Sequence, residues 1–243
     1  MVKIMGIINL TPDSFFEKSR YNLSILDSAA DIVDVGAVST RPGAADVGVE
    51  EEWSRLEGFL KDWHSEKTLS IDTTSSVIVR RAFETVGPFI VNDISAGEND
   101  PKMLRTVSDL ALPYIAMHKK GNPRTMDSLA DEGVPIMDTL TDYFTQFAEK
   151  ARAEGITDWI LDPGLGFAKT ARQNVEIIEN LEALKKFGRP VLTGAADKRF
   201  TEGNTEYYHL LALRHGADIL RVHDVQAAQR TYARYQAERE EHE

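Results

Sequence analysis

Residues 137–186 show the repeating unit of the chain in its plainest form: MDTLTDYFTQFAEKARA (Met137–Ala153), WILDPG (Trp159–Gly164) and NVEIIENLEALKK (Asn174–Lys186). The outer two segments space their apolar residues for amphipathic helices. The middle one is a short unbroken apolar run ended by Pro-Gly, which reads as a strand buried on both faces. Working outward, runs of the same kind recur at Lys3–Asn9, Asp31–Gly36, Thr68–Thr73, Phe89–Ile94, Tyr114–His118, Pro190–Gly194 and Asp218–Asp224. Helical patterns separate them, at Leu23–Ala30, Glu50–His64, Ser75–Thr85, Lys102–Ser108 and Thr205–His215, and Val225–Arg239 closes the chain. Strict strand–helix alternation implies a parallel α/β sheet. Eight units favour a closed (β/α)8 barrel over an open sheet. Such a barrel uses ~250 residues. The 243-residue chain is therefore expected to be one domain over 1–243. No Gly-rich dinucleotide fingerprint follows the first strand, which disfavours a Rossmann arrangement.

Composition narrows the function. The chain has no cysteine, so disulfides, thiolate nucleophiles and Cys-based metal centres are excluded. The N-terminus lacks a secretory pattern, and no stretch approaches the ~20 apolar residues of a membrane span. A cytoplasmic protein without membrane contact is the expectation. A net charge of −11 argues against a nucleic-acid partner. An anionic small substrate stays open, because a few convergent cations make a local positive pocket.

The apolar runs end in polar residues. Asn9 ends the first, and Ser39, Thr40 and Arg41 follow the second. Asp72 and Asn92 lie at the ends of the third and fourth. Met117 and His118 end the fifth, and Asp162 lies at the end of the sixth. Lys198 follows the seventh, and Arg221 and His223 lie on the eighth. In a barrel these ends meet at the mouth that carries active sites. Singly, each has an ordinary explanation: Asp72 as a helix cap, Asp162 in a turn, the histidines buried and satisfied, the arginines in surface ion pairs. Those explanations would have to hold independently at nearly every strand. Together the residues describe a cup wanting a ligand rich in N–H and C=O groups.

At these residues the sequence resembles the dihydropteroate synthases, a family of pterin-binding barrels. The motifs are NLTPDSF (Asn9–Phe15), STRPGA (Ser39–Ala44), IDT (Ile71–Thr73), NDIS (Asn92–Ser95), MHKKG (Met117–Gly121), LDPGLGFAK (Leu161–Lys169) and GADILRVHDV (Gly216–Val225). They occur in order and span almost the whole chain. The resemblance implies that a pterin diphosphate, 7,8-dihydropterin-6-ylmethyl diphosphate, is joined to 4-aminobenzoate with release of diphosphate. It implies a catalytic set of Asp72, Asp162 and Lys198. Asp72, Asn92 and Asp162 would hydrogen-bond the pterin, with Lys198 and Arg221 near it. Thr40, Arg41, Arg221 and His223 would hold the diphosphate, and Asn9 would bind Mg2+ on it. Met117 and Phe167 complete the expected substrate-binding set. The family is commonly dimeric, and the last helices are candidate contacts for a homodimer.

Two segments depart from the family pattern. Where the family has Ser-Arg-Lys after the seventh strand, this chain reads Ala196-Asp197-Lys198. The first loop, Phe16–Tyr21, lacks the family's glycines. Both would lie on the aminobenzoate side. The alternative is therefore a divergent pterin-binding paralogue with a weakened acceptor site. Methyl transfer from a reduced folate to a corrinoid protein is a third reading, disfavoured by STRPG and RVHD, which suit a diphosphate.

Overall fold

The computed structural model describes residues 1–11, 24–38, 47–121, 129–131, 133–196 and 198–241. Strands and helices alternate within them: β1 (Lys3–Asn9), α1 (Ser24–Asp27), β2 (Ile32–Gly36), α2 (Val49–Lys61), β3 (Thr68–Asp72), α3 (Ser76–Val86), β4 (Ile90–Asp93), α4 (Met103–Asp109), β5 (Tyr114–Met117), α5 (Ile136–Glu154), β6 (Trp159–Asp162), α6 (Ala171–Glu179), β7 (Leu192–Thr193), α7 (Thr205–Arg214), β8 (Ile219–Val222) and α8 (Val225–Glu240). The strands are parallel neighbours in the order β6-β5-β4-β3-β2-β1-β8-β7. A parallel bridge between Leu161 and Val191 closes the ring, with Leu161 N donating to Pro190 O at 2.9 Å. This is the (β/α)8 barrel the alternation implied.

One helix differs from its sequence reading. The segment expected to be helical over Asn174–Lys186 starts earlier, and α6 gives way to a 3-10 turn at Leu181–Phe187. A reciprocal capping box between Thr170 and Gln173 sets the start at Ala171. The break falls at Asn180, whose Nδ2 donates to Glu176 O at 2.7 Å and whose φ/ψ of −123/20 is not helical. An Asn side chain that bonds the preceding turn competes with helix continuation.

The apolar interior has two parts. The larger packs the outer faces of the strands against the helices. The smaller consists of Met5, Ile32, Ile90, Ile115, Ile160, Leu192 and Ile219. These come from seven different strands and plug the lower barrel. Each such fully buried side chain contributes about 1.5–3 kcal/mol relative to exposure. Because strand side chains alternate, the residues two further along each strand share the inner face. They are Ile7, Asp34, Asn92, Met117, Asp162, Gly194 and Arg221. β3 joins in register, with Ser70 opposite Asp34 and Asp72 opposite Asn92. The plug is thus covered by a layer that is mostly polar.

Candidate active site at the barrel mouth

Asp34 lies at the centre of that layer and is fully buried. Its Oδ1 accepts from Ser70 Oγ at 2.6 Å. Its Oδ2 accepts from Asn92 Nδ2 at 3.0 Å and from Arg221 Nε at 2.7 Å. Arg221 Nη2 lies 2.7 Å from the same oxygen and donates to Asp72 Oδ2 at 2.9 Å. Four strands, β2, β3, β4 and β8, are therefore tied through one carboxylate and one guanidinium. Gly36 stands beside Asp72, where a Cβ would come within 3.3 Å of Asp72 Cβ. The absent side chain leaves the aspartate room in the mouth.

Asp162, on the far side of the cup, is also buried. Its Oδ1 accepts from Gly164 N at 2.7 Å. It is close enough to Arg221, Lys198 and Lys169 for each to oppose the upward push that burial gives its pKa. Burial likewise raises Asp72, to about 7; Arg221 opposes this, and Asp34, Glu52 and Asp93 add to it. Arg221 is held above its ordinary value, because Asp34 and Asp72 outweigh the burial that disfavours its charge.

The loop after β6 completes the wall. Lys169 is buried, and its Nζ donates to Gly164 O at 2.9 Å, Phe167 O at 3.0 Å and, more weakly, His118 O at 3.4 Å. Burial, with a contribution from Lys198, lowers its pKa to about 7. Gly164 has φ of +68, and a Cβ there would sit 2.0 Å from His118 O, so only glycine fits. Lys198 Nζ lies 4.5 Å from the centre of the Phe167 ring, and its chain passes where a Gly166 Cβ would be. Met117 is buried, and its carbonyl accepts from Tyr143 Oη at 3.1 Å. His118 packs edge-on against Tyr143. Burial, with Lys169 and Lys120, holds it neutral with a pKa near 3. Among the described residues its Nδ1 has no hydrogen-bond partner.

The structure thus brings together Asp72, Asn92, Met117, Asp162, Phe167, Lys198 and Arg221. Asn9 ends β1, half-buried and opposite Gly36, and His223 follows β8, half-buried. Thr40 and Arg41, the first loop at 16–21 and Asp197 lie outside the described residues. The sequence reading missed three groups. Asp34 stands inside an apolar run, and its only signal is that it shares strand parity with Ile32. Buried Glu52 of α2 accepts from Thr73 Oγ1 at 2.6 Å. Lys169 appeared in a motif without a role. Asp93, next to Asn92, points outward instead and is satisfied by Ser95 N and Oγ, Gly97 N and Tyr114 Oη.

A closed barrel whose mouth sets carboxylates and an amide around one arginine defines a binder of small polar heterocycles. The family model for pterin binding enzymes matches residues 5–223, and the chain belongs to that family. A Synechocystis protein named dihydropteroate synthase is 36% identical over 249 residues, 92% of this chain and 86% of that protein. The folic acid synthesis protein fol1 of Pneumocystis carinii is 38% identical over 251 residues, and the match spans 91% of this chain but 34% of that longer protein. Among solved structures, Xanthomonas albilineans dihydropteroate synthase with 4-aminobenzoic acid superposes with a TM-score of 0.88 at 31% identity, covering 98% of this chain and 93% of that one.

Proposed function

We propose that this chain, a single barrel unit over 1–243, is a transferase of folate biosynthesis. It condenses 7,8-dihydropterin-6-ylmethyl diphosphate with 4-aminobenzoate to give dihydropteroate and diphosphate. The observation that carries the reading is the shared cup: Asp72, Asn92 and Arg221 joined through Asp34, with Asp162 facing them.

The proposed roles follow from the chemistry of the groups. A pterin offers a guanidine-like donor edge, which suits a carboxylate such as Asp162. Asn92 and Asp72 take further ring N–H and C=O groups. Lys198 and Phe167 flank the ring, over Met117. The bond between the methylene and the diphosphate oxygen breaks as positive charge spreads into the electron-rich pterin, and Asp72 and Asp162 stabilise that charge. The amine nitrogen of 4-aminobenzoate then bonds the methylene and loses a proton. No enzyme nucleophile takes part, in keeping with a chain that has no cysteine. Thr40, Arg41 and His223 are assigned to the diphosphate. Arg221 is already shared between Asp34 and Asp72, so its charge acts on the cup floor as well as on the leaving group.

Asn9, half-buried at the end of β1, is the donor assigned to Mg2+. Among the described residues no group of three or more His, Cys, Asp or Glu side chains could hold a metal. Mg2+ bound to phosphates keeps waters and takes few protein ligands, so the amide oxygen of Asn9 would serve. Once bound, the ion would neutralise the departing diphosphate. Among the described residues no helix is long and apolar enough to cross a membrane, and a cytoplasmic location is part of the proposal.

The test is to incubate the protein with the pterin diphosphate, Mg2+ and 4-aminobenzoate and assay both products. Equal amounts of dihydropteroate and diphosphate support the reading, and absence of both overturns it. Diphosphate alone would favour the paralogue with a weakened acceptor site. That alternative has less in its favour, given relatives named dihydropteroate synthase aligned over nine-tenths of the chain.

A further inference from the structure

We infer that Asp34 is a positioning residue for pterin recognition, fixing Asn92, Arg221 and Asp72 from beneath the cup. The inference rests on the proposed pterin site and adds a residue that none of the assigned roles includes.

Asp34 is fully buried within the barrel, two residues before the end of β2. It is too deep to be a surface counter-charge. It also has more partners than a carboxylate serving merely to neutralise Arg221 would need. Oδ1 is occupied by Ser70 Oγ, and Oδ2 by Asn92 Nδ2 and the Nε side of Arg221.

Three consequences follow. First, Asn92 is tied by one N–H, so its amide cannot flip without losing that bond. Its Oδ1 is thereby reserved as an acceptor for a donor elsewhere, which selects a ligand presenting N–H. Second, Arg221 is gripped along its Nε/Nη2 edge, which aims the Nη2 group at Asp72. Third, Arg221 is shared between two carboxylates, so it cannot neutralise Asp72 fully. The groups bearing on Asp72 are Arg221 from β8, Asp34 from β2, Glu52 from α2 and Asp93 from β4. Only the arginine favours its ionised form.

Asp34→Asn keeps the shape but removes the charge. Ser70→Ala removes one support of Asp34 and is a milder change that the fold should accept. Ligand binding is read by calorimetry with 7,8-dihydropterin-6-ylmethyl diphosphate across pH, so the result does not depend on turnover. Asp34→Asn should weaken pterin binding roughly 30-fold or more, the loss typical of breaking a buried charge pair. The KM for 4-aminobenzoate should stay within about twofold, because that ligand is assigned to other loops. The pH below which pterin binding fails should move downward. Both the lost negative charge and the arginine freed for Asp72 act in that direction. Ser70→Ala should show the same pattern at smaller size.

Unchanged pterin affinity in Asp34→Asn overturns the inference. So does an equal loss for both substrates with an unmoved pH limb, which is what a purely structural role would give. If Asp34→Asn does not fold, Ser70→Ala decides by the same two criteria. If the wild-type protein does not bind the pterin at all, the functional reading fails first, and the two failures are thereby distinguished.

Discussion

Replacing Lys169 with methionine perturbs a buried ammonium that holds the β6–α6 loop against the end of β5. The side chain is buried, and its partners are three carbonyl oxygens, not a carboxylate. Burial lowers its pKa from 10.5 to about 7. The folded protein therefore releases this proton near pH 7, while the unfolded chain keeps it to about 10.5. Between those limits the unfolded state binds more protons, so stability rises with pH. The slope for one full proton is about 1.4 kcal/mol per pH unit. From about pH 7.5 to about pH 9.5 the lysine should add about 2 kcal/mol to the wild-type protein and nothing to Lys169→Met. Urea unfolding of the ligand-free proteins at the two pH values gives the quantity directly. The absolute difference at one pH mixes lost hydrogen bonds with a relieved burial cost, whereas the change with pH isolates the proton. A wild-type minus variant difference that stays flat across the window would show that burial does not lower the Lys169 pKa in the folded protein.

Other outcomes are equally specific. Asp162→Ala should reduce pterin diphosphate affinity roughly 100-fold in calorimetry while circular dichroism stays native; unchanged affinity removes Asp162 from the site. Gly164→Ala should destabilise by about 3 kcal/mol or more, because a Cβ at a positive φ meets the His118 carbonyl 2.0 Å away, and a variant with an unaltered melting temperature would contradict that contact. Pterin binding should weaken as pH falls below about 7, since Asp72 then takes up a proton and ceases to be a pure acceptor; binding flat from about pH 8 to about pH 5.5 would count against its contact with a ring N–H. Asp197→Arg, which restores the family's charge at that position, should lower the KM for 4-aminobenzoate, and an unchanged KM would show that this residue does not act on the acceptor.

Much of this architecture could be read from the amino acids. All eight apolar runs became strands, because continuous Ile, Val and Leu segments flanked by helices have few other ways to bury both faces. The runs overstated the strands by up to a few residues, as Asp31 and Thr73 illustrate: polar residues at a strand end belong to the loop once the ladder stops. The helix break at Asn180 was hidden inside an otherwise regular apolar spacing. At the mouth, Asp72, Asn92 and Asp162 were legible because each interrupts an apolar run where barrel strands end. Asp34 was not, since it sits one alternation deeper among valines and isoleucines. Its importance appears only when strand register places Ser70, Asn92 and Arg221 around it. Lys169 was similarly opaque, because its partners are backbone carbonyls, which sequence does not mark.

The most direct measurement is a structure of the protein with 7,8-dihydropterin-6-ylmethyl diphosphate bound. The pterin should lie inside the strand ends, its donor edge on Asp162 and its other polar atoms within hydrogen-bond reach of Asn92 and Asp72. A ligand seated at the opposite end of the barrel, or bound with none of these three side chains in reach, would contradict a pterin-binding mouth.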